Sequence, residues 1–178
     1  REQDKGRAGP LDTAELSALL PTDHVVAVRG HSVTLRRGAD VTGDRIIDVT
    51  SYPEPAELMA AADVLVTDYS SIMFDFSATG RPIVFHTPDY AEYLSEGRGG
   101  YFDLAAHAPG PLTSTTAELA DALLDARTTD APGTRYRAWQ QRFVPHDDGR
   151  AAARLARRIA DAAPHPDGMP STRCACLW

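Results

Sequence analysis

The segment Asp63-Val64-Leu65-Val66-Thr67-Asp68-Tyr69-Ser70-Ser71-Ile72-Met73-Phe74-Asp75-Phe76, continued by Ser77-Ala78-Thr79-Gly80-Arg81-Pro82-Ile83-Val84-Phe85-His86, reads as strand, turn, helix and strand. Val64 to Val66 is a short apolar, β-branched run, the pattern of a strand buried on both faces. Thr67-Asp68-Tyr69 turns the chain, and Ser70 or Ser71 is a suitable N-cap for the element that follows. Ile72, Met73 and Phe76 share one helical face, and Gly80 with Pro82 stops that helix. Ile83-Val84-Phe85 then resumes an apolar strand. Such a βαβ unit implies a parallel sheet. Its polar turn falls at the carboxyl end of the first strand, where ligands of open α/β sheets sit.

The chemistry of Ser70-Ser71 follows from that position. A helix N-terminus offers backbone N–H groups at the positive end of its dipole, and two adjacent hydroxyls add donors, so the pair is a candidate phosphate site. The plainer reading is a helix cap without a ligand, and the two residues alone leave both open.

Composition narrows the classes. The 178 residues are 43% hydrophobic and 24% charged, which suits one globular domain with a core. No apolar run approaches the ~20 residues of a membrane span, and Arg1-Glu2-Gln3-Asp4-Lys5 is not a signal peptide, so a cytoplasmic location is expected. A net charge of −7 argues against a general nucleic-acid binder. Of the 18 basic residues only Lys5 is lysine, which argues against lysine-based covalent chemistry. Arginine suits bidentate phosphate contacts. Cys174 and Cys176 are too close in sequence for an ordinary bridge or a zinc pair, and no metal site is expected.

Outside the opening segment, residues 1–10 read as a disordered N-terminal stretch, 11–163 as a Rossmann-like α/β domain with a doubly wound, mostly parallel sheet, and 164–178 as a disordered tail. Asp12 or Thr13 caps a short helix carrying Leu16, Leu19 and Leu20. Val25 to Val28 is a strand that runs into His31, placing an imidazole on the same rim of the sheet as Ser70 and Ser71. Ile46 to Val49 is a second short strand, and Pro55 opens a helix with Leu58, Met59 and Ala62 on its core side. A short helix through Leu94 leads into the glycine-rich loop bearing Arg98, and Tyr101-Phe102-Asp103 and Ala108-Pro109-Gly110-Pro111 read as a surface excursion. Helices are expected from Thr115 or Thr116, over Arg135 to Phe143, and after Asp147-Asp148-Gly149. In the last of these Leu155 and Ile159 face inward, while Arg150, Arg154, Arg157 and Arg158 form a basic stripe. That stripe is a solvated face or a contact with an anionic membrane surface.

Segment 63–76, Gly80-Arg81-Pro82-Ile83-Val84-Phe85, Arg98-Gly99-Gly100-Tyr101-Phe102-Asp103 and Ala108-Pro109-Gly110-Pro111 together resemble the CDP-glycerol glycerophosphotransferases. These enzymes prime and polymerise the glycerol-phosphate chains of teichoic acids and related bacterial capsules. The resemblance covers roughly residues 24 to 160. It implies the C-terminal half of a GT-B enzyme, in which two Rossmann-like domains face each other across a cleft and the C-terminal one holds CDP-glycerol. The start, Arg1-Glu2, resembles the tail of a family segment ending in Trp-Arg-Asp or Trp-Arg-Glu. On that reading the domain lacks its first strand, and its N-terminal partner domain is absent.

The reaction so implied is attack by an acceptor hydroxyl on the β-phosphate of CDP-glycerol, releasing CMP. The acceptor is a polyol-phosphate or lipid-linked polymer, no separate cofactor is involved, and the expected place of action is the cytoplasm, at the inner face of the membrane. The resemblance assigns the diphosphate to Ser70 and Ser71, phosphate contact or acid/base work to His31, donor hydroxyls to Asp75 and a phosphate contact to Arg98. Asp68 and Tyr69 belong to the same donor site or only shape its turn. Asp148 and Gly149 resemble a family Asp-Gly near the cleft, though a helix cap explains them equally. The chain departs from the family at His31-Ser32 (commonly His-Pro), at Gly100 and at His107. The alternatives are a GT-B glycosyltransferase using a nucleotide sugar and a non-catalytic nucleotide-binding remnant. A receiver-like domain would need an acidic pair and a late lysine, which the sequence lacks in suitable places.

Overall fold

The computed structural model describes residues 11–30, 43–95, 102–127 and 133–162. In chain order these form α1 Thr13–Leu19, β1 Val26–Val28, β2 Ile46–Asp48, α2 Pro55–Ala61, β3 Leu65–Thr67, α3 Ile72–Ser77, β4 Ile83–His86, α4 Tyr90–Ser95, α5 Leu104–His107, β5 Leu112–Thr113, α6 Thr116–Arg127, α7 Thr134–Phe143 and α8 Ala151–Ala162. Residues 1–145 make one compact unit and 146–178, with α8, a second.

All strand pairs among the described residues are parallel. β4 lies between β3 and β5, with Thr67 opposite Phe85 and His86 opposite Thr113. β1 pairs with β2 in a separate ladder, Ala27 opposite Ile47. The larger ladder is covered on both faces, because successive side chains of β4 point opposite ways. Ile83 and Phe85 join Met73 of α3, Leu104 of α5, and Tyr136 and Trp139 of α7 in one cluster. Val84 joins Leu16 and Leu20 from the α1 region and Leu119 of α6 in the other. The result is the helix–sheet–helix layering of a doubly wound α/β fold.

Local chemistry explains most of the boundaries. Asp12 caps α1, its carboxylate accepting the Glu15 N–H at 2.9 Å. Pro55 occupies the first turn of α2, where its missing N–H costs nothing. Arg81 donates to the Ala60 and Ala62 carbonyls, each at 2.7 Å, and so closes the C-terminus of α2 from the far side of the βαβ unit. Ahead of α6, the Glu118 carboxylate accepts the Ser114 N–H at 2.7 Å while Thr115 Oγ1 accepts the Glu118 N–H at 3.2 Å. Gly80 takes φ +73° after α3, a left-handed conformation that ends the helix without strain.

Three sequence expectations change. The strand buried on both faces is β4, whose first three residues are buried, whereas β3 is half-buried at the edge of its ladder. The two runs read as a surface excursion flank α5 and lead directly into β5. Gly110 there brings the backbone so close to β4 that an added Cβ would stand 1.7 Å from the Ile83 carbonyl oxygen. Finally, α8 buries none of its residues, and Leu155 and Ile159 are exposed where periodicity alone turns them inward.

Candidate functional site

The β3–α3 turn is built from its own side chains. Asp68 follows the last residue of β3, and its carboxylate accepts the Ser70 N–H at 2.9 Å, closing an Asx turn. The Ser70 and Ser71 carbonyls then accept from Met73 N–H at 3.3 Å and Phe74 N–H at 3.0 Å, which starts α3. Ser71 is the N-cap residue by position, yet it has helical φ and ψ and its side chain makes no capping bond. The expected serine cap is therefore replaced by the Asp68 turn. The reason is geometric: a capping serine needs extended backbone, and Ser71 is already part of the helical spiral. Asp68, Ser70 and Ser71 are all exposed, as is Asp75. Ser71 and Asp75 stand four residues apart and share one face of α3.

Behind this exposed edge the turn is braced. Tyr69 is half-buried; its ring stacks on Tyr93 with centroids 3.6 Å apart, and its hydroxyl donates to Asp89 at 2.9 Å. Burial, then the Asp89 bond, drives the phenol pKa well above its ordinary value, so Tyr69 remains a neutral donor. The far end of α3 is held by α7. Tyr136 donates to the Arg81 carbonyl at 2.6 Å and Gln140 to the Ser77 carbonyl at 2.7 Å. Burial pushes the Tyr136 phenol up to about 12. Phe74 stacks on Trp139 at 5.3 Å and packs against Phe102 and Phe143. A helix fixed on its apolar side presents its polar side without rearrangement.

The structure thus gathers Asp68, Tyr69, Ser70, Ser71 and Asp75 on one turn and the helix after it. His31 and Arg98 lie outside the described residues. Asp148 and Gly149 belong to the second unit, where the Asp148 carboxylate accepts from Arg154 Nη1 at 2.6 Å and from the Arg150 N–H at 3.0 Å. The Arg154 bond, the larger influence, holds the Asp148 carboxyl below its usual range. Gly149 adopts φ +71°, which suits a glycine at the approach to α8. Among the described residues no three His, Cys, Asp or Glu side chains converge as a metal site. No helix among them is long and apolar enough to cross a membrane.

Sequence reasoning passed over the neighbouring strand ends. His86 and Asp89 follow from β4, and Thr113 ends β5. The run Ile83-Val84-Phe85-His86 signalled the first; nothing local signalled a two-residue strand at Leu112–Thr113.

The chain is 35% identical over 150 residues to a teichoic acid glycerol-phosphate transferase of Staphylococcus aureus, covering 84% of this chain and 38% of that protein. It is 33% identical over 153 residues to a teichoic acid ribitol-phosphate primase of Bacillus spizizenii, covering 85% of this chain and 39% of that protein. Among solved structures, the wall teichoic acid polymerase TagF superposes with a TM-score of 0.70 at 29% identity, covering 90% of this chain and 40% of that one. A TagF variant soaked with CDPG superposes with a TM-score of 0.69 at 30% identity, covering 83% of this chain and 37% of that one. This chain therefore spans about two fifths of the length of those relatives. Residues 1–161 match the CDP-glycerol:poly(glycerophosphate) glycerophosphotransferase family, and the chain belongs to it.

Proposed function

We propose that this chain is the donor-binding part of a glycerophosphotransferase, taking CDP-glycerol and passing glycerol phosphate to a hydroxyl of a teichoic-acid-like or capsular polymer. The observation that carries the reading is the β3–α3 turn. In a chain of this family, Asp68-Tyr69-Ser70-Ser71 stands at the carboxyl rim of a parallel sheet with its two serines exposed and its backbone fixed from behind.

The chemistry needs two things from the protein. The diphosphate must be held as charge shifts onto the departing CMP, and the acceptor hydroxyl must lose a proton. The Ser70 and Ser71 hydroxyls supply neutral donors to the diphosphate, and Asp75, on the same face as Ser71, takes a hydroxyl of the donor. Arg98 is assigned to a phosphate and His31 to the proton. The acceptor oxygen bonds to the β-phosphorus, the bond from that phosphorus to the bridging oxygen breaks, and CMP leaves with the electron pair. In this proposal the acceptor site and an N-terminal partner domain lie outside these 178 residues, so the chain binds donor and turns over little or nothing. Action at the inner face of the membrane belongs to the same proposal, with Arg150, Arg154, Arg157 and Arg158 of the α8 region as its basic contact.

Calorimetric titration with CDP-glycerol, CDP, UDP and GDP tests it. Selective binding of the cytidine ligands, weakened about tenfold or more in Ser71→Ala and His31→Ala, is expected, since each removes a bond to a charged group. Preference for UDP or GDP would point to a nucleotide-sugar donor instead. Folded protein that binds no nucleotide would overturn the proposal.

A further inference from the structure

The rim that carries the Ser70-Ser71 turn also carries a histidine to which the reaction above gives no part. His86 ends β4 and is paired with Thr113 of β5. It follows Val84 by two residues and so lies on the α1–α6 side of the sheet. Thr113 donates its one hydroxyl proton to the Phe85 carbonyl at 3.1 Å. In that orientation its oxygen accepts from His86 Nδ1, 3.2 Å away. With the hydroxyl so oriented, the neutral ring carries its hydrogen on Nδ1 and keeps the Nε2 lone pair. Strand register supplies the location. Thr67 stands opposite Phe85, so Asp68 and His86 leave the sheet side by side on strands about 4.8 Å apart. Asp68 is the residue that fixes the Ser70 N–H.

From this juxtaposition we infer that His86 is a further ligand-positioning residue of the donor site, its Nε2 accepting a hydrogen bond from an O–H or N–H of the bound nucleotide or its polyol. The inference rests on the donor-site reading above. An acceptor nitrogen has nothing to offer an ionised diphosphate, which has no proton to give; it suits a ribose or polyol hydroxyl or a base amino group. The charged groups that face the ring are Glu118 of α6 and Asp89 after β4. Asp89 is engaged by the Tyr69 hydroxyl, and the Ser114 N–H and hydroxyl hold Glu118 ionised. Burial outweighs both carboxylates and lowers the imidazole pKa, so the acceptor form is the one present at neutral pH. Acid converts Nε2 from acceptor to donor and removes the bond.

Titration calorimetry of the 178-residue chain at about pH 8 and about pH 5, spanning the histidine range, tests the inference with CMP, CDP and CDP-glycerol as probes. CDP-glycerol carries no terminal phosphate with a second pKa near about 6, so its pH profile reports on the protein. His86→Ala should bind about tenfold more weakly at the higher pH, the size of one lost hydrogen bond. His86→Gln, whose amide oxygen accepts without titrating, should recover most of that affinity and lose less of it in acid than the parent chain. The smallest probe to show the loss identifies the donor group: CMP for the nucleoside, CDP-glycerol alone for the polyol. Equal binding and equal pH profiles in all three proteins overturn the inference while leaving the donor site standing. Absence of binding to any probe overturns both. Nitrogen chemical shifts of the His86 ring give an independent check, and a hydrogen on Nε2 in place of Nδ1 at neutral pH overturns the inference.

Discussion

The two parallel ladders of the first unit are written in the same kind of sequence and end in different surroundings. In β4, Ile83 and Val84 are 1% exposed and Phe85 is fully buried; in the smaller ladder Ile47 is 53% exposed and Val25, just ahead of β1, 64%. Both are short, apolar and β-branched. The difference is what covers them. Helices α3 and α7 lie on one face of β4 and the α1 and α6 layer on the other, whereas β1 contributes only Val26 to a cluster and β2 no residue at all. A parallel strand becomes core when both faces are covered, and its own residues do not decide that. The candidate site belongs to the covered ladder. A turn proposed to hold a charged ligand gains from an anchored backbone.

Substitutions that separate the two ladders sharpen this contrast. Trp139→Ala removes the largest fully buried side chain, the one on which Phe74 of α3 stacks. It should cost about 3–5 kcal/mol in a denaturant titration of the first unit and weaken nucleotide binding by loosening α3. Gly110→Ala forces a methyl against the Ile83 carbonyl, and either β5 moves away from β4 or the ladder strains. A loss of about 3 kcal/mol is expected, with Thr113 displaced from His86. Arg81→Ala leaves the last carbonyls of α2 without their partner across the βαβ unit and should cost about 1.5 kcal/mol. Ile47→Ala, at a residue that is 53% exposed, should change stability by no more than about 0.5 kcal/mol. If Ile47→Ala costs as much as a substitution in β4, the contrast between the ladders fails.

Much of the fold was readable because its signals are local. The caps at Asp12 and Thr115, Pro55 at the start of α2 and Gly80 after α3 all act within one turn of helix. The turn residues Asp68, Tyr69, Ser70, Ser71 and Asp75 were identified for the same reason. That Ser71 makes no capping bond was not readable, because a serine ahead of a helix is a good cap on paper and only its φ and ψ rule it out. The inward orientation read for Leu155 and Ile159 failed for a related reason: helical periodicity defines an apolar face without saying what, if anything, lies against it.

By itself, then, the sequence determined the order of strands and helices apart from α5 and β5, the parallel pairing of β3 with β4, and the family, since each rests on residues close together in the chain. The tertiary structure alone decided that β5 exists, that Gly110 presses against β4, that Arg81 closes α2, and that Thr113 meets the His86 ring. Those facts join residues 19 to 28 positions apart. Two residues of strand at Leu112–Thr113 carry no periodicity of their own; they are a strand because β4 offers them hydrogen bonds, and that offer is made only in the folded chain.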